Sequence, residues 1–279
     1  MASKFNPIQY AESDGLKVME VGNWAEYKYK IVGKYCDIFT KGMKNKWNLV
    51  YIDLFCGPGF VKKRNSNEIM LNSALIAASL PNKFDYYALN DFDEESCSAI
   101  ENRLNKIVPS KYKVFSGDAN KNLDTILNSI PNFNNEKRNL IFSFLDPFSL
   151  NLEFETIKKL NKEQADILVL HALQMDARRN HKIYKEKPEK VSKFTGNPNW
   201  QESYKKYQDT PTEFMKFVSE EFDRSINNLG YKITAKKERI KNDSGMGIYY
   251  LCFYSKHDRG LDFYSKIQRI GGNNQYELF

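Results

Sequence analysis

The run Tyr51-Ile52-Asp53-Leu54-Phe55-Cys56-Gly57-Pro58-Gly59 constrains the fold more than any other stretch, because an apolar strand ends there on a carboxylate and turns at once through two glycines. The preceding Leu49-Val50-Tyr51-Ile52 has no polar break, as a central parallel strand buried on both faces requires. Missing side chains at Gly57 and Gly59 let the backbone approach a nucleotide-like ligand closely, with Asp53 to bind its polar groups. Three later runs end the same way: Tyr86-Tyr87-Ala88-Leu89-Asn90-Asp91, Lys113-Val114-Phe115-Ser116-Gly117-Asp118 and Ile141-Phe142-Ser143-Phe144-Leu145-Asp146. Carboxylates at four successive strand ends line one edge of a parallel sheet, where open α/β folds bind ligands.

Strand and helix patterns alternate through the chain. Residues 48–55, 85–90, 111–115, 140–145 and 166–172 read as strands, and 24–43, 69–80, 94–108, 123–130 and 152–160 as helices with three- and four-residue apolar spacing. Residues 212–229 form a further amphipathic helix, with Thr212 as its candidate cap. The runs 231–240 and 247–254 follow without a helix between them, and Asn242-Asp243-Ser244-Gly245 supplies a hairpin turn. The expectation is an α/β fold: a doubly wound, seven-stranded, mostly parallel sheet closed by a C-terminal antiparallel hairpin. One domain spans 1–279, with an arm and helix over 1–45, residues 1–23 a loose arm, 62–68 a loop, and 176–210 an insertion on the strand-end face.

The net charge of +7 is uneven: residues 176–279 carry 20 Lys/Arg against 14 Asp/Glu. With aromatic residues among the lysines, this suits a polyanionic partner, though a solvated lysine-rich surface reads the same on charge alone. No stretch is apolar enough for a membrane span, and the first residues lack a signal-peptide core, so a cytoplasmic location is expected. Cys36, Cys56, Cys97 and Cys252 are spaced for neither disulfides nor zinc, and His171, His181 and His257 are too scattered to predict a metal centre.

Five parallel strands, a helix and a terminal hairpin match the sheet pattern of class I S-adenosylmethionine methyltransferases. The third phosphate-binding glycine of a dinucleotide site is absent, which favours S-adenosylmethionine over a nicotinamide cofactor. The chain also resembles the three-Cys-motif partner proteins, a bacterial family with a methyltransferase-like fold. Lys28-x-x-Ile31-x-x-x-Tyr35-x-x-x-Phe39, YIDLFCGPG, Asn72-Ser73-Ala74, Gly117-Asp118-Ala119-Asn120, Leu145-Asp146-Pro147-Phe148, Gly196-x-x-x-Trp200 and Tyr249-Tyr250-Leu251 carry the likeness. The three cysteines belong to the family's partner protein, which the resemblance implies as a binding partner.

These readings assign the cofactor's methionine and ribose to the turn around Phe55, Gly57 and Gly59, its ammonium to Asp53 directly or through water, and its ribose hydroxyls to Asp91 or Asp93. Asp118 would accept from the adenine amino group and Ala119 would donate its N–H to the ring. Taken singly, each aspartate equally suits a helix N-cap. Asp146-Pro147-Phe148 stands where amine-directed methyltransferases carry an Asp/Asn-Pro-Pro-aromatic loop: the carboxylate accepts from an exocyclic amine and the ring stacks on the base. Phe148 replaces the second proline, so the match is partial. The turn also looks like that of cytosine-C5 methyltransferases, but none of the four cysteines follows a proline, which disfavours that chemistry. Arg178, Arg179, Lys182 and Trp200 are candidates for phosphate and base contacts, against a lid packed on the sheet edge. The reading is a methyltransferase acting on an exocyclic amine of a DNA or RNA base. Its rival is an accessory of the same fold, binding cofactor or partner without turnover, in a mobile-element or defence locus.

Overall fold

The computed structural model describes residues 5–64, 66–133, 136–174, 176–234 and 237–270, with side chains to 268. Its main sheet contains β1 (Asn48–Asp53), β2 (Tyr86–Asp91), β3 (Tyr112–Ser116), β4 (Asn139–Leu145), β5 (Ala165–His171), β6 (Lys232–Ile233), β7 (Glu238–Lys241) and β8 (Gly247–Ser255). The spatial order is β3-β2-β1-β4-β5-β8-β6, with β7 also paired to β8. Strands β1 to β5 are mutually parallel, and β8 lies antiparallel between β5 and the β6/β7 pair. The expected doubly wound α/β architecture is present, with one difference. The sheet has eight strands because the run 231–240 pairs with β8 in two pieces, Ile233 opposite Tyr254 and Glu238 opposite Leu251, with too many residues between for one ladder.

Sheet order reverses beside β1, which has β2 on one side and β4 on the other. The crevice outside the carboxyl ends of these strands is therefore the fold's ligand position. Every residue of β1 and β5 is buried, consistent with helices on both faces. One core holds the helix Trp24–Met43 through Tyr29, Ile31, Val32, Tyr35 and Phe39, together with Leu75, Ile100 and Tyr264. The other holds Leu123, Ile157, Trp200 and the helix Pro211–Asn228 through Phe214, Phe217, Val218 and Phe222.

Three local expectations are corrected. Residues within 1–23 and 60–71 build a second sheet in which Tyr10–Ala11, Ile69–Leu71, Phe60–Lys63 and Met19–Val21 are neighbours in that order. Strands of two to four residues are too short to print a two-residue period, so they read as arm, loop and the start of a helix. The helix after Ile69–Leu71 runs only over Ser73–Ala78. The later helix begins at Pro211, with Thr210 rather than Thr212 accepting from the Glu213 N–H at 3.2 Å, since proline suits a first-turn position whose N–H has no helical acceptor. No helix among the described residues is long and apolar enough to cross a membrane, and all four cysteines are free and buried.

His171, at the end of β5, is fully buried against Phe222, Phe194 and Tyr254 at ring distances of 4.6, 5.5 and 6.3 Å. Neither ring nitrogen has a hydrogen-bond partner among the described residues, and burial holds its pKa well below the usual histidine value. The unfolded chain binds this proton below about pH 6.5 while the folded chain does not. His171 therefore withdraws stability as pH falls through that value and costs nothing above it. Buried Asp53, whose carboxyl is pushed up to about 7, works in the opposite sense. In urea unfolding from pH 7.5 to 4.5, wild type is expected to lose up to about 1.4 kcal/mol per pH unit relative to His171→Leu below pH 6.5. Parallel curves would exclude a neutral buried imidazole.

Candidate active site

The turn after β1 is assembled by hydrogen bonds that the motif supplies to itself. Gly57 and Gly59 have φ of +58° and +94°. Ser73 Oγ donates to Asp53 Oδ2 at 2.8 Å, the Tyr51 hydroxyl to the same oxygen at 3.1 Å, and the Phe55 N–H to Oδ1 at 3.2 Å. Asn72 Nδ2 donates to the Cys56 carbonyl at 2.5 Å and its backbone N–H to Gly59 at 2.9 Å, while its Oδ1 accepts from the Ala74 and Leu75 N–H groups that open the next helix. Asn72-Ser73-Ala74 thus fastens the turn. Buried Arg103 fastens it from outside, through the Pro58 carbonyl at 2.5 Å, the Lys17 carbonyl at 3.0 Å and both Asp14 oxygens.

Asp53 is 0% exposed, and burial is the main cause of its raised carboxyl, with the nearby Asp146 charge adding to it. It lies beneath the cleft as a brace and contributes no lining surface, so the direct ammonium contact expected of it has no geometry here. Gly59 is likewise a packing glycine: a Cβ there would stand 2.8 Å from Leu75 Cδ1. Gly57 and Phe55, by contrast, line the cleft.

The cleft has a volume of about 1070 Å³ and follows the carboxyl ends of β3, β2, β1, β4 and β5. One end is lined by Asn90, Asp91, Phe92, Gly117, Asp118, Ala119 and Asn120. Asp91 accepts from the Gly57 N–H at 2.7 Å and the Asp93 N–H at 3.0 Å, which ties the second strand end to the turn. Asp93 does not line the cleft. It caps the helix Glu94–Ile107 through the Ser96 N–H at 2.7 Å and pairs with Lys17 at 2.8 Å; those two contacts, Lys17 foremost, hold its carboxyl at about 2. Asp118 caps the helix Ala119–Asn128 through the Asn120 N–H at 3.0 Å and also lines the cleft. Ala119 opens that helix, so its N–H has no intrahelical acceptor. Phe92 is 80% exposed at the rim, an aromatic the sequence reading passed over.

The other end holds Asp146, Pro147 and Phe148 with Lys28, Leu170, Ala172 and Tyr249. Phe148 is 83% exposed, an aromatic face with no ring partner among the described residues. Lys28, from the helix Trp24–Met43, is 6% exposed and forms an ion pair with Asp146 Oδ2, its ammonium 4.8 Å from the Tyr29 ring centre. Burial alone would lower the Lys28 pKa; the Asp146 charge beside it outweighs that and raises it. In the sequence Lys28 is one of several lysines and tyrosines on a helix, and only the fold shows that it faces inward. The arm wall, Met19 to Gly22 with Trp24 and Ala25, completes the enclosure.

The basic candidates divide. Arg179 lines the cleft, and Arg178 and Arg179 border an adjoining pocket of about 390 Å³ with Gln174, Pro211, Thr212 and Met246. Lys182 is exposed and lines neither. Trp200 is a correction: at 0% exposure it donates Nε1–H to the Pro188 carbonyl at 3.1 Å and packs on Phe214 and Phe217, so its faces are unavailable to a base. Residues 176–210 contain three short helices, His181–Glu186, Glu189–Thr195 and Trp200–Tyr204, whose buried residues seat them against Pro211–Asn228. Among the described residues no cluster of His, Cys, Asp and Glu is placed to hold a metal ion.

No protein-family model and no curated protein matches the chain. Solved structures do. Protein LPL1258 from Legionella pneumophila is 13% identical at a TM-score of 0.50, covering 90% of this chain and 92% of its own. SMU.1697c from Streptococcus mutans, solved in complex with SAH, is 10% identical at a TM-score of 0.42 and covers 84% of this chain and 99% of its own. Trm5b from Pyrococcus abyssi is 9% identical at 0.43, over 89% and 56%. At such identities the likeness speaks to the fold alone.

Proposed function

We propose that the chain is an S-adenosylmethionine-dependent methyltransferase acting on an exocyclic amine of a nucleic-acid base. The supporting observation is that the Gly57 backbone, Asp91, Asp118 and Ala119 share one continuous cleft with Asp146-Pro147-Phe148. The bound cofactor would supply a methyl group on a sulfonium. Asp91 takes the ribose hydroxyls, Asp118 the adenine amino group and the Ala119 N–H a ring nitrogen, with Phe92 available to cover the ring. At the far end the Asp146 oxygen not held by Lys28 accepts an N–H of the substrate amine, while Phe148 stacks on the base that carries it. Arg179 and Arg178 suit the flanking phosphates.

Calorimetry with Asp91→Ala checks the cofactor half. Binding of S-adenosylmethionine is expected to weaken at least tenfold, about 1.4 kcal/mol, with the fold intact by circular dichroism. Undiminished affinity would remove the cradle. Because Asp146 is already engaged by Lys28, the second reading is a cofactor-binding accessory without turnover, seated on a three-Cys-motif protein as the family resemblance implies. Tritiated methyl transfer to total RNA or DNA decides between the two.

A further inference from the structure

We propose that Lys28 sets the substrate class of the site, admitting an uncharged amine on a phosphate-bearing molecule and turning away ammonium and guanidinium groups. The inference rests on the methyltransferase reading. A lone carboxylate at a transfer point attracts cations, which would suit lysine or arginine side chains of a protein. Here the Asp146 carboxylate is offset by a lysine ammonium that is 6% exposed and fixed by its helix.

Other charged groups line the same cleft. Asp176 is bonded by uncharged donors, Ser149, the Leu150 N–H at 3.0 Å, and Asn180 and Tyr184, each at 2.7 Å, which occupy its oxygens without supplying a counter-charge. Glu153 pairs with Lys193 at 2.8 Å. Arg64 and Arg179 line the cleft without a carboxylate partner among the described residues, while Lys190 bonds the Asn151 side chain, and the Asn151 carbonyl accepts from Asn120 at the other end of the cleft. Glu20 belongs to the arm strand Met19–Val21, whose Val21 carbonyl accepts from the Arg64 N–H at 3.0 Å, and Asp91 and Asp118 line the donor end. An incoming group near Asp146 therefore meets a carboxylate already offset by Lys28, with one acceptor oxygen left open. A neutral amine needs only that oxygen, phosphates gain from Arg64 and Arg179, and an ammonium group finds the Asp146 charge already offset.

The test is fluorescence anisotropy with a labelled single-stranded oligonucleotide and a labelled lysine- and arginine-rich peptide, with and without SAH, on wild type, Lys28→Arg, Lys28→Met and Lys28→Met/Asp146→Asn. Lys28→Met alone leaves a bare carboxylate. It is expected to bind the peptide at least tenfold more tightly than wild type, and the oligonucleotide more weakly. Lys28→Arg and the double variant, whose sites carry no net charge, should keep the wild-type preference. A merely structural lysine would weaken both probes in every variant without a change of preference. Should Lys28→Met fail to fold, Lys28→Gln removes the charge while keeping a donor to Asp146, and the same comparison applies. Peptide affinity that is the same in Lys28→Met, or in Lys28→Gln, as in wild type, or a wild type that prefers the peptide, overturns the proposal. Absence of SAH binding strikes instead at the methyltransferase reading, since the peptide comparison stands without it.

Discussion

Replacing Asp146 by alanine is expected to lower methyl transfer by at least about 100-fold, the loss typical when a positioned proton-accepting group is removed. The same change is expected to cost roughly 3 kcal/mol of stability, the lower end of the range for breaking a buried ion pair, because Lys28 stays in place without its counter-charge. The lower end applies because the Asp146 side chain is 21% exposed, so water can enter the vacated space. Asp146→Asn combined with Lys28→Met should be more stable than either single change, since no unpaired charge remains. Urea unfolding and single-turnover transfer measure the two effects separately. Full activity in a folded Asp146→Ala protein would move the reaction centre elsewhere.

Trp200→Ala is expected to lose about 3–5 kcal/mol, the usual cost of truncating a large aromatic in a core. The indole is enclosed by Tyr204, Phe214 and Phe217, and its N–H is matched to the Pro188 carbonyl. Trp200→Phe retains most of the packing and should bind an oligonucleotide as wild type does. Impaired binding by that folded variant, with unchanged melting, would restore the base-stacking role.

The strand ends were legible in the sequence because burial on both faces leaves β1 and β4 mostly apolar, so that Asp53 and Asp146 at their ends are conspicuous. What those aspartates do once folded was not legible. Asp53 and Asp93 carry the same chemistry as Asp91 and Asp118, yet the first is sealed under the turn and the second caps a helix outside the cleft. Strand-end position alone does not say which way a carboxylate faces. Trp200 failed for a related reason: a polar, basic stretch masks an aromatic that faces inward. Lys28 opens the Lys28-x-x-Ile31-x-x-x-Tyr35-x-x-x-Phe39 pattern, but its pairing with Asp146 was not legible, since a buried lysine and a solvated one look alike until their surroundings are known.

Arg103 ties Asp14, the Lys17 carbonyl and the Pro58 carbonyl into one unit, while Asn72 and Ser73 tether the opposite side of the same loop. The floor is thereby preorganised, and a molecule settling on it forfeits little chain entropy there. Whatever adjustment accompanies association falls to the opposite lip, where Phe92 and Phe148 stand out in water.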